Sequence, residues 1–414
     1  MQLGSQIFVV FTLFIFALKW YLNKRQAKSI ISNMGGVPVD FSKTVTLEEH
    51  QKAAKYNLAK LAIANGEEIF SLILLFGFTL GGGIQLINDY LNNYATKPIT
   101  YCVLIIALYS VISAVLNLPF SIYSTFGIEQ KFGFNNTTIK LFILDLVKGI
   151  VLSIVIGISL LYMVLWLMDA MGTYWWIWVW GALVLFNLVI LVAYPTFIAP
   201  LFNKFKPLED LELKTKIDAL LLKCGFKSNG VYVMDGSKRS SHGNAYFTGI
   251  GKTKRIVFFD TLLKQLNSDE IEAVLAHELG HFKKKHIVKQ MWVMFALTLV
   301  VLYILSLLIK SPIFYQSLGV TTINNANALL LFSFLVGLVG FLFAPLSSYF
   351  SRKNEFEADA FAAEYSKTEN LISGLTKMYR DNASTLTPDP IYVKFHYSHP
   401  PASIRITHLE NDIR

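Results

Sequence analysis

The sequence predicts a mainly α-helical membrane fold of seven spans, carrying a polar unit with a small β element, and three observations lead there. Hydrophobic residues make up 54% of the 414 and charged residues only 16%, against roughly a quarter charged in an average soluble chain. Mean hydropathy is +0.47. The apolar residues are gathered into long blocks free of charge, and two polar stretches interrupt or follow them late in the chain.

The blocks run over residues 1–18, 69–87, 99–128, 149–168, 174–203, 291–309 and 328–350. At about 1.5 Å of rise per residue each can cross a hydrocarbon layer of roughly 30 Å with some help from flanking residues. No basic region precedes the first block, and Lys19, Lys24 and Arg25 follow it, so it reads as a retained anchor and not a cleaved signal. The loops on one side carry Lys24, Arg25, Lys28, Lys43, Lys52, Lys55 and Lys60, then Lys131 and Lys140, then the basic segment 204–289. The other side has little beyond Lys97 and Lys310 near span ends. The positive-inside rule then puts the N-terminus outside and the C-terminus in the cytosol.

The net charge of +9 falls on that cytosolic side, next to anionic lipid. No recognition motif accompanies it, so nucleic acid is not an expected partner. Cys102 and Cys224 fall on opposite sides of the membrane, which argues against a disulfide.

The chain divides into residues 1–203, with spans one to five and their loops, then 204–289, then 290–350 with spans six and seven, then 351–414. The second and fourth parts face the same compartment and can form one unit at the membrane surface. Residues 204–289 read as a helix over 211–222, strands over 230–234 and 255–260, and a helix opening at Asn267. Glu270 stands three residues after Asn267, a capping-box pattern.

That last helix carries His277, Glu278, Leu279, Gly280 and His281, an HExxH motif. Histidines four apart project from one helix face and can chelate a single Zn²⁺, with Glu278 beside them as general base. Ile271, Val274 and Phe282 share that arc, so the polar trio should be covered, and a metal would satisfy it. A catalytic zinc needs a third protein ligand and one open position. Glu355, with Asp359 one turn on along a helix over 354–365, offers the ligand and a carboxylate to hold the outer N–H of a ligand histidine. Glu357 and Glu364 read as a solvated acidic face. His286 lies five positions after His281, about 140° away on a continuing helix, and the longer HExxHxxGxxH pattern would need Gly at Lys284 and His at Ile287. It is therefore not expected to bind the metal. Metal-activated water, with Glu278 moving the proton, would hydrolyse a peptide bond. Segments 240–247 and 398–405 could orient the peptide and hold the oxyanion.

These residues, with TFGIEQKFGFNNTT, FIAPLFNKFKPLE, RSSHGNAYFTG, KRIVFFDTLL, VLAHELGHFKKKH, SRKNEFEADAFA and YSHPPASIR in order along the chain, resemble the type I CAAX prenyl endopeptidases, membrane zinc metalloproteases. The resemblance implies a seven-helix barrel around a water-filled chamber, closed on its cytosolic side by a gluzincin-like zinc protease domain. It implies one Zn²⁺ on His277, His281 and Glu355, catalysis by Glu278, and support from Asp359. It also implies that the Asn244 and Ala245 strand, with His242 nearby, holds the substrate backbone, and that His399 and Arg405 complete the site. Glu67, Glu68, Asp145 and Lys148 would face the chamber or form structural pairs, since a charge at mid-bilayer facing lipid costs about 3 kcal/mol.

The implied substrate is a peptide or protein, possibly prenylated, cleaved near its C-terminus. The membrane is that of the endoplasmic reticulum or a bacterial inner membrane, since no dilysine signal ends the chain and most bacteria do not prenylate proteins. A second reading is therefore a bacterial quality-control metalloprotease acting on membrane proteins. A third is a transporter or scaffold with structural zinc, which would need a fourth protein ligand; no cysteine lies near the motif.

Overall fold

The computed structural model describes residues 2–94, 97–227, 230–248 and 255–412. Met1, Ile413, Arg414 and the Gly249 that ends the RSSHGNAYFTG stretch lie outside them. Seven helices are long and apolar enough to cross a membrane: Leu3–Asn33, Leu47–Phe78, Pro98–Phe132, Ile139–Ala170, Gly172–Phe202, His286–Leu308 and Asn325–Tyr365. All seven expected spans are thus present, but their bounds differ in two informative places.

The second span begins well before residue 69, at a capping box between Thr46 and Glu49, and stops at Phe78. It does not reach residue 87 because Gly82 takes a left-handed conformation (φ +79°) and starts a separate short helix, Gly83–Leu91. The seventh helix is a single rod of 41 residues, with Pro345 inside it. Residues 354–365 are therefore no separate element but the C-terminal end of the span's own helix.

Apolar packing is concentrated at two separate places. One core joins Phe78, Ile84, Ile105, Leu165, Tyr315 and Leu331, where the short helices Gly83–Leu91 and Pro312–Ser317 plug one end of the spans. Buried Asn88 and Asn327 hydrogen-bond each other there at 3.0 Å. The other core lies in the polar unit, around Ile217, Phe258, Leu275, Leu279, Ala362 and Leu409. Between them the spans are sparsely packed, with only 6–22% of each apolar window buried. So little mutual burial along the spans fits seven helices arranged as the wall of a barrel.

Several charges near the spans are partnered. Lys19 meets Glu68 at 2.8 Å, Arg239 grips Asp145 at 2.8 Å, and Lys148 donates to the Leu201 carbonyl at 2.8 Å. The structural-pair alternative thus applies to Glu68, Asp145 and Lys148.

The polar unit holds a four-stranded sheet, β1 (Phe205–Pro207), β2 (Val231–Met234), β3 (Ala245–Thr248) and β4 (Arg255–Phe259), in the order β1-β2-β4-β3. β2 and β4 run parallel with Val233 opposite Phe258, and the outer strands are antiparallel. Two strands more than the 230–234 and 255–260 pair are present, both on the sheet's edges. β3 is the strand that the resemblance implied at Asn244 and Ala245, and it begins at Ala245; three-residue β1 is too short for alternation of side chains to reveal it.

Candidate metal centre and active site

The motif helix, Ser268–Lys283, is started by the expected capping box: Asn267 Oδ1 accepts from the Glu270 amide and the Glu270 carboxylate accepts from the Asn267 amide, both at 2.9 Å. Ile271, Leu275 and Leu279 are 2% exposed or less and anchor the helix in the polar unit's core. Gly280 is where this helix crosses the seventh-span rod. A Cβ there would lie 2.9 Å from Ala358 Cα and 3.1 Å from Phe361 Cβ. Only a glycine lets the two helices come this close, and the contact sets the height of Glu355 against the two histidines.

Three ligand-type groups converge at that crossing. The Nε2 atoms of His277 and His281 face each other at 3.1 Å, and the Glu355 carboxylate stands 3.4 Å from the first and 3.2 Å from the second. Two imidazole nitrogens at that distance repel unless something positive lies between their lone pairs. Glu355 Oε2 is buried and has no hydrogen-bond partner. Leaving a carboxylate oxygen so is costly, and a cation at the convergence point would satisfy it together with both nitrogens. The donor set therefore fits a bound metal ion.

The outer face of His277 is held in turn. Its Nδ1 lies 2.8 Å from Asp359 Oδ1, and Arg405 Nε donates to Asp359 Oδ2 at 2.8 Å while its Nη2 reaches the other oxygen. Burial and the Arg405 guanidinium oppose protonation of His277, but the neighbouring Asp359 and Glu355 carboxylates outweigh them and raise its pKa to about 9, favouring a proton that a bound cation would displace. Burial likewise disfavours the charge on Arg405, and the Asp359 carboxylate more than restores it. His399 stands with Nε2 3.3 Å from Glu355 Oε1 and is 62% exposed. The cleft around it still strips enough water to hold its pKa below the ordinary histidine value, against the pull of Glu355. A cavity of about 370 Å³ opens beside it, lined by Met378, Tyr379, Asn382, Ser398 and Arg405 among others.

The remaining candidates lie around this centre. Ala245 opens β3, the outermost strand, paired only with β4 among the described residues. Asn244 leads into it, its carbonyl accepting from the Phe259 amide at 3.0 Å. His242 stacks on Phe134 at 4.4 Å and lies 3.4 Å from Glu129, so it ties the third span to the polar unit. Among the described residues no hydrogen bond joins His242, Asn244 or Ala245 to His277, His281 or Glu355. Glu278 sits half-buried on the motif helix between the two histidines.

Sequence reasoning missed two residues at the centre. His286 places Nδ1 3.0 Å from His281 Nδ1, and Glu357 accepts from His286 Nε2 at 3.1 Å. Glu357 is therefore not part of a solvated acidic face. Gly280 was available as a signal only through its place inside the motif.

Comparison with known proteins now bears on this geometry. Residues 26–204 match the model of the CAAX prenyl protease N-terminal region with five membrane helices, and residues 207–413 match peptidase family M48. The chain belongs to peptidase family M48. This M48 peptidase is 33% identical to CAAX prenyl protease 1 of Saccharomyces cerevisiae, covering 97% of this chain and 94% of that one. It is 34% identical to the CAAX prenyl protease 1 homolog of Arabidopsis thaliana over 98% and 97% of the two chains. Its fold is similar to the crystal structure of S. mikatae Ste24p, with a TM-score of 0.93 and 32% identity over 99% of this chain and 100% of that one. The M48 peptidase is thus a multi-pass membrane metalloendopeptidase, and the cluster of His277, His281 and Glu355 provides a place for its metal.

Proposed function

We propose that the protein is a zinc endopeptidase that cleaves prenylated CAAX proteins, releasing their last three residues, with the active site on the cytosolic side, the N-terminus outside and the C-terminus inside. The observation that carries the reading is the convergence, 3.1 to 3.4 Å apart, of two imidazole nitrogens and one buried carboxylate whose Oε2 has no hydrogen-bond partner. Atoms about 2 Å from a tetrahedral zinc stand roughly 3.3 Å from one another, so the spacing suits that ion. Two nitrogens and one carboxylate leave a fourth position open, as catalytic zinc sites do. The substrate class rests on likeness to proteins named CAAX prenyl proteases.

In this reading His277, His281 and Glu355 hold the ion, which when bound polarises the scissile carbonyl and acidifies the attacking water. Glu278 takes the proton from that water and delivers it to the leaving amine. Asp359, braced by Arg405, fixes the His277 tautomer so that Nε2 presents its lone pair to the site. His399 is kept neutral by the cleft and can donate a hydrogen bond to the developing oxyanion. The edge of β3 beginning at Ala245, which no strand among the described residues covers, pairs with an extended substrate as an added strand, with Asn244 at its start and His242 holding the strand's approach to the third span.

A farnesylated CAAX peptide, its unprenylated twin and a misfolded membrane protein, each incubated with the purified protein with and without chelator, test the proposal. Cleavage of the farnesylated peptide alone, abolished by chelator, is the expected result. Equal cleavage of the twins would remove the prenyl requirement and favour a quality-control role.

A further inference from the structure

We infer that His286 and Glu357 form a hydrogen-bonded relay that orients His281, and that the relay exists because Lys285 adopts a left-handed backbone. The inference rests on the proposed ligand assignment and adds two positioning residues to it. His281 directs Nε2 at the cluster, so its Nδ1 carries the proton and must find an acceptor. That acceptor is His286 Nδ1, 3.0 Å away. With Nδ1 accepting, His286 carries its own proton on Nε2 and donates it to Glu357 Oε2 at 3.1 Å. The polarity of both bonds is thus fixed from the metal outward, and every polar atom of the buried His286 ring is satisfied. His277 is held directly by a carboxylate, whereas His281 is held by a carboxylate through an intervening imidazole.

On an unbroken helix residue 286 would point about 140° away from His281. Instead the motif helix ends at Lys283, Lys285 has φ +56° and ψ +36°, and the sixth span begins at His286. That single left-handed residue turns the chain so that the first side chain of the span comes back against the ligand. A side chain with a Cβ is disfavoured in this conformation, and Lys285 is one of only two non-glycine residues with positive φ among those described. The strain is offset by what it places.

The test is zinc affinity of the detergent-purified full-length protein, measured by competition with a chromogenic chelator. His286→Leu fills the same volume without an acceptor and should weaken binding 10–100-fold. His286→Asn, whose Oδ1 can stand near the lost Nδ1, should recover much of that loss. Lys285→Gly, which reaches positive φ freely, should bind as tightly as the parent, while Lys285→Val keeps the histidine but disfavours the turn that positions it and should bind as weakly as His286→Leu. Glu355→Ala is the control for the ligand set and should lose zinc. If Glu355→Ala keeps full affinity, the ligand assignment itself is wrong. If it loses zinc while His286→Leu and Lys285→Val do not, or if His286→Asn is as weak as His286→Leu, the relay is refuted alone.

Discussion

Arg25, on the first span, and Asp389, at the head of the short helix Pro390–His396, form a two-pronged ion pair: Nη2 lies 2.8 Å from Oδ2 and Nε 3.2 Å from Oδ1. Asp389 also accepts from the amides of Ile391 and Tyr392, and its own amide donates to the Gln26 side chain at 2.8 Å. The loop that presents His399 leaves directly from the end of this helix, so the first span anchors one wall of the active site. Arg25→Ala should lower kcat/KM on the order of tenfold by letting His399 drift, with zinc content unchanged. Steady-state kinetics alongside metal analysis check this; unaltered kcat/KM would show the anchor to be irrelevant to catalysis.

Glu278→Gln keeps the shape of the side chain and removes its basicity. Turnover should fall by about 10²–10⁴-fold while one zinc per chain is retained. Single-turnover cleavage and metal stoichiometry decide it, and near-normal turnover would mean that another group moves the proton.

Gly280→Ala forces a methyl into the crossing between the motif helix and the seventh-span rod. Overpacking of this kind costs about 1–3 kcal/mol, and the separation it causes acts along the line from the histidines to Glu355. Both thermal stability and zinc affinity should drop together. A variant with parental affinity would contradict the idea that this contact sets the ligand spacing.

Glu270 provides a pH signature. Burial opposes its ionisation, but hydrogen bonds from Lys377, Ser373 and the Asn267 amide prevail and hold its pKa below the usual glutamate value. The unfolded chain therefore binds this proton more readily than the folded one, so the stabilisation is complete above about pH 4.3 and fades as pH falls through the lower folded value. Glu270→Ala should cost about 1–3 kcal/mol at neutral pH, and melting curves of the two proteins should converge as the pH drops toward 3. A gap that stays constant in acid would rule out the carboxylate as its source.

The membrane architecture and the HExxH helix were legible because each is written in local periodicity: charge-free blocks for the spans, the Asn267 and Glu270 cap for the motif helix. Glu355 and Asp359 were legible as a pair one turn apart. His286 was not, because a rotation count assumes a continuous helix, and nothing in three successive lysines marks the left-handed turn at Lys285. Glu357 was misjudged for the same reason, since its partner was expected elsewhere. The role of Gly280 depends on a second helix 78 residues later in the chain, a long-range contact that no local pattern encodes.

The 41-residue rod that carries Glu355 also fixes a distance. Glu355 stands five residues past Phe350, where the charge-free block ends, so at about 1.5 Å per residue its backbone lies roughly 7 Å further along the rod than that block. Under the proposed function, a substrate held in the bilayer by a prenyl group would offer a centre so close to the span only the few bonds nearest its anchor. In that reading, the short reach would help set where the cut falls.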